Sequence, residues 1–141
     1  MSVNMKVKAE PLTAEAFAPF GKVVDASRHT LHCQPGEYTA RLHALERAQS
    51  LVKRVNRHSD HEQLFVPISG HKLLITVATD DLELRAFVND GTQAWTFGVN
   101  VWHNAPRGLD ADDAAVINVQ GSRFTEHTEY ADVVGPNEVE W

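Results

Sequence analysis

A chain of 141 residues has room for one domain with a proper core, and 43% hydrophobic with 23% charged residues is ordinary for a water-soluble globular protein. The formal net charge of -6 argues against the clustered Lys and Arg of a nucleic-acid surface, and no apolar run approaches membrane-spanning length. Cys33 is the sole cysteine, so no internal disulfide can form; with an N-terminus that lacks an apolar signal core, this points to a reducing, cytoplasmic setting.

Residues 11–21 read as one short helix: Thr13 suits the N-cap, Glu15 the first turn, and Pro19 with Gly21 closes it. Leu12, Phe17 and Phe20 are expected to pin this helix against a sheet. Residues 22–25 form a short strand and 25–36 a loop, in which Arg28-His29-Thr-Leu-His32-Cys33 is not a metal site, having one thiol and no second cluster. Residues 37–44 suit a strand, with a helical turn over 44–49 as the competing reading.

Clearer β-prone runs follow at 51–57, 63–68, 71–78, 84–88, 94–97, 99–103, 114–120 and 123–130, divided by turn signals such as Ser69-Gly70, Asn89-Asp90-Gly91 and Pro106-Arg107-Gly108. His127 falls on the last of these, read as an exposed edge strand. Asp110-Ala-Asp112-Asp113 is a solvated acidic turn, since it lacks the glycine and terminal glutamate of a calcium loop. The tail from Gly135 is expected either to hang free or to dock Trp141 on a partner subunit. This many short strands with regular turns indicates an all-β barrel or jelly roll of a single domain spanning 1–141, with one short N-terminal helix.

Two stretches carry chemistry: Arg57-His58-Ser-Asp-His61-Glu62-Gln63-Leu-Phe65-Val-Pro67, and Asn100-Val-Trp102-His103. Strand alternation puts Gln63, Phe65 and Pro67 on one face, and sets Val99, Val101 and His103 opposite Trp102. The spacing resembles the two cupin motifs. Asn56-x-His58 is followed by four residues, Gln63, six residues and Gly70, and Gly98-Val-Asn100-Val-Trp102 leads to His103. The usual His-His-Glu-His set thus becomes Asn56, His58, Gln63 and His103.

More closely, the chain resembles the ureidoglycolate lyase (ureidoglycolate hydrolase) family, a cupin-fold branch. The resemblance rests on residues 11–21, Arg57-His58 with Gln63-x-Phe65-x-Pro67, Leu84-Arg85-Ala-Phe87, and Gly91-x-Gln93 with Asn100-Val-Trp102-His103. The chain departs from the family pattern in a shorter stretch before Arg57, in Gly98 and Asn104 where histidines are common, and in Asn118-Val-Gln120-Gly121 where an Asp-Arg-Gly-Gly element is usual.

The resemblance implies a cupin double-stranded β-helix, a homodimer, a divalent metal such as nickel or manganese, and cleavage of ureidoglycolate to glyoxylate and urea in allantoin and purine breakdown. In that chemistry His58, Gln63 and His103 hold the metal, and Arg57 or Arg85 clamps the small carboxylate substrate. His103 doubles as a catalytic residue, and His61 or Glu62 shuttles the proton. Phe65 and Trp102 contact substrate. Against these roles stand plainer ones: solvated loop for His61 and Glu62, core or dimer packing for Phe65 and Trp102, and a solvent-facing ion pair for Arg85. The competing functions are another small-molecule cupin enzyme, an isomerase or dioxygenase, and a non-catalytic cupin that binds a small anion.

Overall fold

In a computed structural model of the chain, which describes residues 5–24, 37–122 and 124–141, the strand-rich reading holds. The expected loop at 25–36, with Arg28, His29, His32 and Cys33, lies outside the described residues. The N-terminal part contains β1 (Val7–Lys8), β2 (Glu10–Pro11), helix α1 (Ala14–Phe17), β3 (Gly21–Val24) and β4 (Tyr38–Ala44). The middle contains β5 (Arg54–His58), β6 (Gln63–Pro67), β7 (Leu73–Ala78), β8 (Leu84–Asn89) and β9 (Ala94–Phe97). The rest contains β10 (Trp102–His103), β11 (Arg107–Gly108), β12 (Ala115–Gly121), β13 (Thr128–Asp132) and β14 (Val139–Glu140).

Two sheets face each other. One has seven strands in the order β13-β5-β10-β7-β8-β2, with β11 also on β7; the other has five, ordered β3-β9-β6-β12-β4. Nearly all pairings are antiparallel and join strands distant in sequence, as in a jelly-roll sandwich. The described part is thus all-β with one short helix, and it is consistent with the cupin barrel.

Alternation along β7 explains the core. Leu73, Ile75 and Val77 point between the sheets, where they meet Phe17, Phe65, Phe87, Trp95 and Phe97. Leu74 and Ala78 point outward, into a second cluster with Val55, Trp102 and Val139. Every residue of this strand is therefore buried. Phe17 meets Phe87 edge-on at 5.2 Å, and Phe65 stacks on Trp95 at 5.1 Å. Each buried aromatic ring stabilises the sandwich by about 1.5–3 kcal/mol. Thr13 caps α1 as expected, its Oγ1 accepting from the Ala16 N–H at 3.1 Å, and Leu12, Phe17 and Phe20 are buried.

Several expectations change. The strand expected over 99–103 shrinks to Trp102–His103, because residues 98–101 form a turn with Asn100 at φ 62°, a left-handed conformation that asparagine tolerates. The strand expected over 123–130 opens with a 3₁₀ turn at Phe124–His127, so His127 lies on that turn, 3.5 Å from Asp60, and pairing starts at Thr128. Residues 44–49 make no helical turn. The tail does not hang free: β14 pairs with β1, and Val139 buries on the outer face of the larger sheet, while Trp141 stays 47% exposed.

Candidate active site

The site is assembled by register. His103 on β10 sits opposite Asn56 on β5, which in turn sits opposite Tyr130 on β13; next along, His58 opposes Thr128. In the smaller sheet Asn118 on β12 lies between Arg41 on β4 and Phe65 on β6. Directly opposed residues share a face, so these side chains all point between the sheets. Together with His43, Gln63, Ala105 and Gln120 they line a cavity of about 210 Å³. A larger cavity, of about 430 Å³, lies around Val52, Leu74 and Asn104 and contains none of the motif residues. The smaller one is the candidate site, because three polar motif residues converge there in buried positions.

His103 is 3% exposed, and its ring stacks on Phe97 at 4.2 Å. Its Nδ1–H donates to the Val101 carbonyl at 2.9 Å, which leaves a lone pair on Nε2. That Nε2 lies 3.0 Å from Gln63 Oε1, itself an acceptor. His58 Nδ1 lies 3.0 Å from Thr128 Oγ1, and its ring is 5.2 Å from that of His103. Burial, then the neighbouring His61, pulls the pKa of His58 down to about 4, opposed by the Gln63 oxygen, which accepts from the protonated ring, and by Asp60. Burial, opposed by the Val101 carbonyl, pulls His103 down to about 3. Both imidazoles are therefore neutral near pH 7.

This arrangement fits a divalent cation. Two lone pairs, on His103 Nε2 and Gln63 Oε1, face each other at 3.0 Å with no proton to share at neutral pH. Two donors about 2.1 Å from one ion at a right angle stand about 3.0 Å apart. His58, its Nδ1 3.0 Å from Thr128 Oγ1, brings a second imidazole to the same place, and the Nδ1–H of His103, held by the Val101 carbonyl, orients that ring as a metal-bound histidine requires. The donor set is two imidazoles and one amide. No group of three or more His, Cys, Asp and Glu side chains is placed to hold a metal among the described residues. A neutral set of this kind binds more weakly than one with a carboxylate.

His58, Gln63, Phe65 and His103 thus come together at the cavity, and the other expected site residues do not line it. Arg57 is displaced by alternation: one position from His58, it points to the outer face, its guanidinium 4.2 Å over Trp102 and 3.1 Å from Glu129. Trp102 belongs to the outer cluster. Arg85 pairs with Glu10 at 2.9 Å. His61 and Glu62 are not solvated loop residues, being 2% and 7% exposed, but they sit behind the cavity wall. The His61 ring stacks on that of His58 at 4.9 Å, and its Nδ1 is 2.7 Å from Asp60 Oδ1. A Cβ on Gly121 would stand 2.9 Å from His61 Nδ1, so glycine there gives the ring its place. Glu62 pairs with Lys22 at 3.8 Å.

Arg41, His43, Asn118 and Gln120 were missed as site residues. A signal existed: Asn118 and Gln120 occupy alternate positions that continue the buried face of Val116 on β12, and a buried amide in such a position needs a partner. For Arg41 and His43 no local signal existed, because every residue from Thr39 to Ala44 is exposed and the inward face of β4 is set by its pairing with β12.

The family model described as ureidoglycolate lyase matches residues 4–54 and 33–136. Ureidoglycolate lyase 1 of Rhizobium meliloti is 33% identical, with 67% of this chain and 71% of that protein aligned. The ureidoglycolate lyase of Brucella anthropi is 32% identical over 72% and 75% of the two chains, and that of Pseudomonas savastanoi pv. phaseolicola 31% identical over 86% and 89%. With its matched sequence running almost from end to end, the chain belongs to the ureidoglycolate lyase family.

Proposed function

We propose that this protein is a carbon–nitrogen lyase that cleaves ureidoglycolate to glyoxylate and urea. The observation that carries the reading is the lining of the cavity: among the described residues it has one arginine, three histidines, four carboxamides and no carboxylate, in a chain of net charge -6. Such a lining accepts a small anion that also bears amide-like edges. Ureidoglycolate is that kind of molecule, one carbon carrying a hydroxyl, a carboxylate and a ureido nitrogen.

In this reading Arg41 binds the substrate carboxylate through its planar guanidinium, the place first expected for Arg57 or Arg85. Phe65 forms the apolar floor against which the substrate carbon rests. The hydroxyl proton leaves, its electron pair closes the C=O of glyoxylate, the C–N bond breaks, and the departing nitrogen takes up a proton to give urea. In this reading His43, at the cavity wall, accepts the first proton and returns it to the nitrogen. A divalent metal, nickel or manganese, would be held by His58, Gln63 and His103, and when bound it supplies a positive charge that lowers the pKa of the hydroxyl. The reading also includes a homodimer, a cytoplasmic location and a place in allantoin and purine breakdown, for which the family resemblance is the support.

The test is glyoxylate release from ureidoglycolate by chelator-treated protein, with nickel or manganese added back. Release above the spontaneous decay of the substrate, restored by metal, is expected. No release with either metal would overturn the lyase reading in favour of a non-catalytic anion-binding barrel or a different cupin chemistry.

A further inference from the structure

Gln63 has one acceptor oxygen and two N–H donors, and all are committed. Its Oε1 faces His103 Nε2 at 3.0 Å. Its Nε2 donates to Asn118 Oδ1 at 3.1 Å and to Gln120 Oε1 at 2.9 Å. A single rotation of one buried amide therefore sets the polarity of the two beside it. With their oxygens turned to Gln63, Asn118 and Gln120 keep their N–H groups for something else, and those groups have no protein partner among the described residues. Both residues line the cavity and are only 6% and 4% exposed.

We infer that Gln63, Asn118 and Gln120 form a polarity relay that presents amide N–H donors from β12 to the carbonyl oxygen of a ureido or carbamoyl group, so that Asn118 and Gln120 determine the specificity of the site for urea-bearing carboxylates. This rests on the reading of the cavity as a ureidoglycolate site and adds which end of the substrate lies where: carboxylate toward Arg41, ureido carbonyl toward Asn118 and Gln120. Donors left unpaired in a buried cavity penalise a ligand that cannot accept from them. The relay thus discriminates by chemistry more than by shape.

The test compares two ligands that cannot react. Ureidoacetate keeps the carboxylate and the ureido group but has no hydroxyl; 4-methylpentanoate has the same branched skeleton with every ureido nitrogen and oxygen replaced by carbon. The ratio of their dissociation constants cancels changes in anion binding common to both. Wild-type protein is expected to favour ureidoacetate. Asn118→Asp and Gln120→Glu each keep an oxygen for Gln63 Nε2 and replace the cavity N–H group with a second oxygen. Each should cut that preference by about tenfold, as the loss of one buried hydrogen bond with repulsion in its place predicts. Should an acidic variant fail to fold, Asn118→Ala and Gln120→Ala read the same ratio without added charge.

A wild-type ratio near one, an absence of ureidoacetate binding, or a ratio unchanged in the variants overturns the relay. Glyoxylate release with an unchanged ratio removes the relay and leaves the lyase reading. A collapsing ratio without turnover does the reverse.

Discussion

Replacing Gln63 with glutamate changes one nitrogen into one oxygen, with almost no change in shape, at the point where the cavity is most sensitive to charge. The new carboxylate sits about where Gln63 Oε1 now lies, 3.0 Å from His103 Nε2, in a position only 6% exposed. At an effective dielectric constant of about 20, a carboxylate 4 Å from an imidazolium charge is worth about 4 kcal/mol, or about three pKa units. The His103 pKa, now about 3, should rise to about 6 in the metal-free variant. A divalent cation competes with that proton for the same pair, and a charged oxygen in place of a neutral one should tighten nickel or manganese binding at least tenfold at pH 8. The same change removes the donor that holds Asn118 Oδ1 and Gln120 Oε1, so both amides must turn their N–H groups toward the new carboxylate. Metal affinity should therefore rise while the preference for ureidoacetate falls. Calorimetric metal titration, together with NMR titration of the His103 ring in wild type and Gln63→Glu, measures the affinity and the proton; the ligand ratio measures the relay. Equal metal affinity in the two proteins, with His103 still titrating near pH 3, would refute the placement of the cation and of the relay.

Arg41→Ala should raise KM for ureidoglycolate at least tenfold, because it removes the sole arginine of the cavity lining among the described residues, whereas Arg57→Ala should change KM less than threefold. Equal effects in steady-state assays would return the carboxylate to the outer face. Acid should destabilise the metal-free protein in a defined window. His58 and His103 have folded pKa values of about 4 and 3, below the unfolded value of about 6.5, so below pH 6.5 the unfolded chain takes up protons that the folded one does not. Their stabilising contribution is complete above about pH 6.5 and falls away as pH drops toward 4 and then 3. Urea denaturation between pH 7 and 4 should show this fall, with a slope smaller by about one proton in His103→Asn; an identical slope would show that His103 is not held neutral.

Local physics made much of this molecule legible from its residues. Thr13, Pro19 and Gly21 announce the helix because capping and helix breaking depend on neighbours within one turn. Gln63, Phe65, His103 and Trp102 could be assigned to faces by counting, since a strand turns its side chains over at every residue. The same counting, carried one step further, would have placed Arg57 on the outer face, opposite His58. The cupin-like spacing of His58, Gln63 and His103 singled out the candidate ligands because the first motif lies in two consecutive strands and the turn between them, and the second in one short strand and the turn before it.

What remained hidden depends on pairing between distant strands. Arg41 is 77 residues from Asn118, yet the two lie directly opposite each other, and the alternation of Arg41 and His43 gives no hint of which side faces a cavity. The outer cluster around Val55, Leu74 and Trp102 is completed by Val139, which returns from the far end of the chain. Burial of His61 and Glu62 is of the same kind: Asp60, His61 and Glu62 read as a polar turn, but that turn is folded in against Gly121 and Lys22. Sequence alone determined which side chains share a strand face, because that is set by the backbone of a few residues. Tertiary structure alone decided which faces meet, because that depends on how the two sheets bury the most apolar surface.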